Sequence, residues 1–146
     1  IVNLAFALTL GAVAVAVAAA VVAVGEADPA ACVESVIERT PQSEVRDHLE
    51  RIRRIEPGSR FSNVVALLGN GSRITAQDTV AFTVWAASQH LDDFESALWL
   101  TASAHGDVDT TCAIVGGIVG GRVGIDGIPV EWRRRREPLP DWFDGL

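Results

Sequence analysis

An uninterrupted apolar pattern opens the chain: residues 1–24 carry no charge, and Asn3 is nearly their only strongly polar residue. At a rise of about 1.5 Å per residue they would form about 36 Å of helix, enough to cross a bilayer of about 30 Å. No basic region precedes the apolar run, so a signal peptide is not expected. Two interpretations remain, the central helix of an all-α domain or a membrane-spanning helix. The alanine-rich stretch 11–20 has no close arginine or aromatic anchor, which favours the central helix.

Signals for helix starts and stops follow at short intervals. Asp28-Pro29 is typical of an N-cap followed by proline at the first helical position, and predicts a helix to about Glu38. Thr40-Pro41 repeats the pattern and predicts a second helix that stops at Pro57-Gly58.

The helical pattern continues through the middle of the chain. The apolar stretch 61–68 ends at Gly69-Asn70-Gly71, which is typical of a loop. Thr75, with Asp78 three residues later, resembles a capping box. Asp92-Asp93 is expected to cap the next helix, whose apolar residues have helical spacing. No convincing strand or hairpin pattern occurs, so the predicted fold class is all-α.

One loop combines acidic and hydroxyl side chains at the start of a further predicted helix. Asp107, Asp109 and Thr110 offer two carboxylates and a hydroxyl within four residues. Asp109 is a plausible N-cap, which would place both carboxylates beside a helix N-terminus and keep them ionised. Hard oxygen ligands of this kind suit Mg²⁺ or Ca²⁺. The spacing alone fits a divalent-cation site, and it also fits an ordinary capped helix.

The helix after this loop is rich in small residues. Ala113, Gly117 and Gly121 fall on one helical stripe, and Gly116 and Gly120 on another. A glycine in a helix costs about 0.5–1 kcal/mol relative to alanine, so another helix is expected to approach the backbone closely. The slim alanine-rich start of the chain is the natural partner.

The composition fits a single globular domain. A hydrophobic content of 49% over 146 residues is too high for a disordered chain. With 12 basic and 19 acidic residues, the chain is not expected to bind nucleic acid, which requires a basic surface. Cys32 and Cys112 are too few for a disulfide scaffold and fit a reducing compartment, so a cytoplasmic location is expected. The arginine run 133–136 is interpreted as a solvated tail, folded back by Trp132, Trp142 and Phe143.

Several of these segments together resemble the ADP-ribosylglycohydrolase family, which includes the dinitrogenase-reductase-activating glycohydrolases. The segments share the family's order and spacing, and they are residues 11–16, 68–71, 92–98, 106–110 and 124–132. They match the second half of the family's domain, from about residue 11 to about residue 132, and leave residues 133–146 as a tail. The resemblance implies an orthogonal multi-helix bundle without its N-terminal half.

The resemblance also implies an activity: hydrolysis of the bond between ADP-ribose and a modified side chain, often arginine. It implies a two-Mg²⁺ centre, in which Asp107, Asp109 and Thr110 match the later of two ligand motifs. Asp107 and Asp109 are therefore the candidate catalytic residues, and the expected ligand is ADP-ribose or an ADP-ribosylated protein.

Two further segments are candidates for binding the substrate. His105-Gly106 directly precedes the acidic loop, although a histidine at a helix C-terminus is favourable in any case. Gly69-Asn70-Gly71 could line the ADP-ribose pocket, and the alternative is a plain turn that ends a helix. Cys112 has no evident base beside it and is interpreted as a small hydrophobic residue.

The chain departs from the family at its start. The early ligand motif, a Thr-Asp-Asp run, is absent, and Asp92-Asp93 is no substitute because it belongs to the later pattern. The chain also has no methionine, which indicates processing or a piece of a longer protein. We therefore expect the chain alone to bind Mg²⁺ weakly without turnover, and to associate with a missing N-terminal half or with itself. The alternative is a non-catalytic helical scaffold, membrane-anchored through residues 1–24.

Overall fold

Helices form all the regular structure between residues 2 and 138, the part of the chain that the computed structural model describes, with side chains from residue 7 onward. There are eight α-helices in this range: α1 (Val2–Ala23), α2 (Pro29–Arg39), α3 (Glu44–Leu49), α4 (Phe61–Leu68), α5 (Ala76–Gln89), α6 (Phe94–Ala102), α7 (Val108–Val123) and α8 (Val130–Arg135). Short 3-10 helices at Glu50–Arg54 and Ile125–Gly127 complete the order. The predicted all-α fold class is confirmed.

The central helix is α5, which is buried over the whole of Asp78–Ser88. It contacts α1, α2, α3, α4, α6 and α7. Buried hydroxyl groups within α5 tolerate this burial because they donate hydrogen bonds to carbonyls of the helix itself. Thr83 Oγ1 donates to the carbonyl of Val80 at 3.0 Å, and Ser88 Oγ donates to the carbonyl of Trp85 at 2.7 Å. Hydroxyls satisfied in this way allow a helix with a mixed sequence to occupy the core.

Compared with α5, helix α1 is less central: it belongs to the core, as predicted, but is buried along one side only. It packs against α2, α5 and α7 along one side. The buried stripe recurs every four residues: Leu10, Ala14, Ala18 and Val22. The opposite side is exposed at Ala12, Ala16 and Ala20. Alanine on that face gives the segment its apolar character without requiring burial on all sides. Among residues 7–138, whose side chains the structure describes, no helix combines the length and the apolarity needed to span a membrane.

Capping side chains define several helix starts as predicted. Asp28 accepts a hydrogen bond from the Ala31 N–H at 2.7 Å, with Pro29 at the first position of α2. Thr75 caps α5 by accepting from the N–H of Asp78. Each cap satisfies an N–H group that the helix itself leaves without a partner.

The predicted helix start at Thr40-Pro41 is wrong. Thr40 is the buried C-cap of α2, and its hydroxyl donates to the carbonyl of Val36 at 2.7 Å. The next helix, α3, begins three residues later than Pro41, and its N-cap is Ser43, whose hydroxyl accepts from the Arg46 N–H at 3.3 Å.

The C-terminal segment turns back onto the bundle through Trp132 of α8. Its ring meets Phe94 edge-on, with centroids 6.1 Å apart, and Trp99 in the same manner at 6.2 Å. The predicted return of the tail is confirmed for Trp132, whereas Trp142 and Phe143 lie outside the described residues. In the arginine run, residues 134–136 are exposed, as predicted.

Candidate metal and substrate site

Asp107 is the N-cap of α7. Its carboxylate accepts from the Thr110 N–H at 3.4 Å, and its carbonyl accepts from the Thr111 N–H at 3.0 Å. The prediction that Asp109 is the N-cap is therefore wrong, and Asp109 lies in the first turn of the helix. Both carboxylates still lie at the positive end of the helix dipole, as the predicted site requires.

The carboxyl groups of Asp107 and Asp109 lie within hydrogen-bonding reach of each other. A hydrogen bond between them lowers the pKa of Asp109, and the backbone N–H groups of Asp109 and Thr110 lower it further. Asp109 and Thr110 are exposed and Asp107 is half-buried, so all three side chains can be reached from solvent. The arrangement places three hard oxygen donors together at one helix terminus, which is the ligand type that Mg²⁺ prefers.

The groove beside these residues runs between α1, the start of α5, and α7. It has a volume of about 670 Å³, and Asp107 and Thr110 lie at one end of it. Its walls are apolar and include Leu8, Ala16 and Ala113. A polar end and apolar walls are features of small-molecule sites, whose volumes are about 300–1,000 Å³.

Helices α1 and α7 pack against each other, as predicted, but the glycines of α7 do not form the contact, so that part of the prediction is wrong. A Cβ atom added at Gly117 or Gly121 would meet nothing within 4 Å. A Cβ atom at Gly116 or Gly120 would lie 3.5–3.6 Å from the ring of Phe94, an ordinary van der Waals distance. No close approach to another helix requires these glycines, and the stripe of Gly117 faces the open groove and solvent.

The segment Gly69-Asn70-Gly71 ends α4 and contacts the loop that carries Asp107. The Asn70 side-chain amide donates to the carbonyl of Ala104 at 2.9 Å, and the Asn70 carbonyl accepts from the Asp107 N–H at 3.2 Å. These three residues do not line the groove, whereas the nearby Ile74 does. Contact of residues 69–71 with substrate stays a prediction. Sequence reasoning missed their link to Asp107 because no local pattern reports a contact over more than thirty residues.

His105 and Gly106 both have left-handed backbone conformations, with φ of 55° and 75°. They form the sharp turn between α6 and α7, in which the His105 N–H donates to the carbonyl of Ala102 at 3.1 Å. The His105 side chain is exposed and does not line the groove. Its role in substrate binding stays a prediction.

Other reactive side chains near the site have separate roles. Burial raises the pKa of the Cys112 thiol, so the thiol is neutral at physiological pH and is not an activated nucleophile. Asp93 is the N-cap of α6, as predicted, and accepts from the Ser96 N–H at 3.0 Å. Asp92, which was predicted to share that role, instead pairs with Arg122 of α7 at 2.6 Å. Neither acid is therefore a free ligand for a metal beside Asp107.

The donor set fits Mg²⁺ in kind and falls short of it in number. Two carboxylates and a hydroxyl are suitable oxygen ligands, but octahedral Mg²⁺ needs about six. Among the residues that the structure describes, no three His, Cys, Asp or Glu side chains come together as a metal site. The remaining ligands would have to be water, substrate or groups outside this set.

Comparison with known proteins agrees with the architecture. Residues 7–146 match the family model described as ADP-ribosylglycohydrolase. No curated protein and no solved structure matches the chain. Since the matched region includes all the described helices from residue 7 onward, the chain belongs to the ADP-ribosylglycohydrolase family.

Proposed function

We propose that this chain supplies one side of a Mg²⁺-dependent site that hydrolyses the bond between ADP-ribose and a protein side chain, with arginine as the expected side chain. The observation that carries the proposal is the group of Asp107, Asp109 and Thr110 at the N-terminus of α7, beside an open groove. Membership of the ADP-ribosylglycohydrolase family supports the same reaction class.

Each of the three residues has a defined part in the proposal. Asp107 and Asp109 would hold the cation with their carboxylates, and Thr110 would add its hydroxyl. The pKa of Asp109 is lowered by its hydrogen bond with Asp107 and by the backbone N–H groups of Asp109 and Thr110, which favours the carboxylate form of Asp109. Bound Mg²⁺ supplies Lewis-acid stabilisation and orients substrate oxygens. The apolar walls of the groove would exclude water from the part of the ligand next to Asp107.

The proposal assigns an incomplete site to the chain by itself. Two carboxylates cannot compensate two divalent cations, and no third acidic or histidine ligand joins them within the described residues. We therefore expect weak Mg²⁺ binding and no turnover until a second polypeptide segment adds ligands. A separate N-terminal half of the domain is the proposed source.

The first test measures metal binding and product release together. Mn²⁺ binding is followed by electron paramagnetic resonance, which counts the free ion. Release of ADP-ribose from an ADP-ribosylated arginine substrate is followed with and without Mg²⁺. We expect weak Mn²⁺ binding that Asp107→Asn reduces by at least about tenfold, because a ligand is lost, and no release of ADP-ribose by the chain alone.

Asp126→Asn is the matched control for this test. Asp126 is an exposed aspartate in the 3-10 helix after the opposite end of α7, so its loss changes the net charge equally without changing the site. Equal binding by wild type, Asp107→Asn and Asp126→Asn would contradict the metal site and favour a non-catalytic scaffold. Mg²⁺-dependent release of ADP-ribose by the purified chain would contradict the incomplete site.

A further inference from the structure

Asn70 joins two loops that are distant in sequence. Its side-chain amide donates to the carbonyl of Ala104, while its own carbonyl accepts from the N–H of Asp107. Its side-chain oxygen accepts from the Ser72 N–H at 3.3 Å and so fixes the side-chain orientation. The loop between α6 and α7 is thus tied to Asn70 at both of its ends, at Ala104 and at Asp107.

Glycines allow the two loops to approach this closely. Gly106 has a φ of 75°, and a Cβ atom there would overlap the Asn70 carbonyl oxygen and lie 2.5 Å from Asn70 Cγ. Gly71 has a φ of 84°, and its Cβ atom would lie 2.8 Å from Asp107 Cβ. Side chains at either position would push the loops apart. The two close contacts therefore fix the position of the Asp107 backbone and Cβ atom relative to the loop at residues 69–71.

Asp78 anchors this assembly to the central helix. It is 6% exposed, and its carboxylate accepts from the Arg73 N–H at 3.0 Å. The Asp78 carbonyl accepts from the Gly71 N–H at 3.3 Å, and Gly69 packs so closely against Asp78 that a side chain there would overlap it. The loop at residues 69–73 is thus held by α5, the most buried element of the described structure.

We propose that Asn70 and Gly106 are positioning residues that hold Asp107 in the orientation in which it binds a divalent cation. This inference rests on the proposed function, because it takes Asp107 as a metal ligand. Asn70 acts through Asp107, because its backbone carbonyl accepts from the Asp107 N–H. Its side chain is occupied by bonds to the Ala104 carbonyl and the Ser72 N–H. A metal ligand whose supporting groups are lost typically binds its ion about 10–100-fold more weakly.

The test compares two glycines that both have a positive φ and differ in their surroundings. Gly106→Ala brings a left-handed alanine and a clash with Asn70. Gly124→Ala brings an alanine at a φ of 66° and a ψ of −173°, and its Cβ atom would meet nothing within 4 Å. We expect Gly106→Ala to weaken Mn²⁺ binding by about 10–100-fold and Gly124→Ala to bind Mn²⁺ as wild type does. Equal Mn²⁺ affinity of Gly106→Ala and wild type would overturn the inference.

A second pair of variants serves if Gly106→Ala fails to fold. Asn70→Ala removes the hydrogen bond to Ala104, and Asn63→Ala truncates an exposed asparagine of α4 that is remote from the loop. We expect weaker Mn²⁺ binding for Asn70→Ala alone, at a protein concentration and temperature at which both variants are folded by circular dichroism. Equal affinities of the two variants would overturn the inference.

Hydrogen exchange of the Asp107 amide separates this inference from the proposed function. The amide is bonded to the Asn70 carbonyl, so its exchange is expected to be slow in wild type and at least about tenfold faster in Gly106→Ala. If wild type bound no Mn²⁺, the proposed function would fail. Amide exchange would then test only whether Asn70 and Gly106 hold Asp107 in place. Faster exchange of the Asp107 amide in Gly106→Ala would support this role, and unchanged exchange would overturn it.

Discussion

At the scale of single residues, Ile74 has a backbone conformation that β-branched side chains rarely adopt. Its φ is 54°, in the left-handed region, and its side chain is 84% exposed at the edge of the groove. A left-handed residue with a Cβ atom costs about 1–2 kcal/mol, and no burial of the side chain offsets that cost here. The structure therefore carries local strain beside the candidate site.

Replacing Ile74 tests this strain. Asparagine tolerates the left-handed region, so Ile74→Asn is expected to raise the free energy of unfolding by about 1 kcal/mol. Val24→Asn is the matched control, because Val24 is 86% exposed and has no positive φ. Urea denaturation of both variants measures the difference. A free energy of unfolding for Ile74→Asn that is no higher than that of wild type would contradict the strain.

Residue types identified the candidate metal ligands but not their local roles. The Asp-x-Asp-Thr pattern predicts a helix start, and either aspartate is a suitable cap. The structure selects Asp107 because the Asn70 carbonyl fixes its N–H from another loop. Thr40 shows the same limit: the Thr-Pro pattern suggests a cap, whereas burial turns its hydroxyl back to the preceding helix. Contacts between distant segments decide both cases.

At the scale of helices, two glycines of α7 lower the stability of the helix without being required by any contact. Gly117 and Gly121 lie inside a helix, where glycine is unfavourable, and an added methyl group would meet nothing within 4 Å. The sequence correctly indicates a helix rich in small residues. It does not indicate that the small face would be open, because that depends on which segments are present to cover it.

Alanine at these two positions is expected to stabilise the chain. Gly117→Ala and Gly121→Ala should each raise the free energy of unfolding by about 0.5–1 kcal/mol, because alanine loses less backbone entropy on folding. Thermal and urea denaturation would measure the effect. Gly106→Ala is the contrasting control, since its Cβ atom would clash with Asn70 and should lower stability. Destabilisation by Gly117→Ala would show that something approaches this face.

At the scale of the whole molecule, the bundle leaves one apolar side uncovered. The groove between α1 and α7 is lined by small side chains, with Leu8 at 56% and Ile74 at 84% exposure along it. The all-α class and the helix order follow from the sequence. The sequence does not show that α5 is central while α1 is half exposed, because α1 is the more apolar helix of the two and only packing shows which one the others surround.

Self-association through this groove is the expected behaviour of the chain alone, because burial of apolar surface is favourable. Sedimentation velocity should show a sedimentation coefficient that rises with protein concentration. Ala16→Glu places a charge in the groove and should abolish the rise. Ala66→Glu, on the exposed side of α4, adds the same charge outside the groove and should leave the rise unchanged. A concentration-independent monomer in wild type would contradict this expectation.

The contact between Gly106 and Asn70 also constrains how the sequence can change over time. A mutation that adds a side chain at position 106 requires a new backbone path at position 70, and the path at position 70 is held by Asp78. Single substitutions in this set therefore disrupt both loops at once. In descendants that keep the acidic end of α7 intact, Gly69, Gly71 and Gly106 are expected to be inherited together or replaced together.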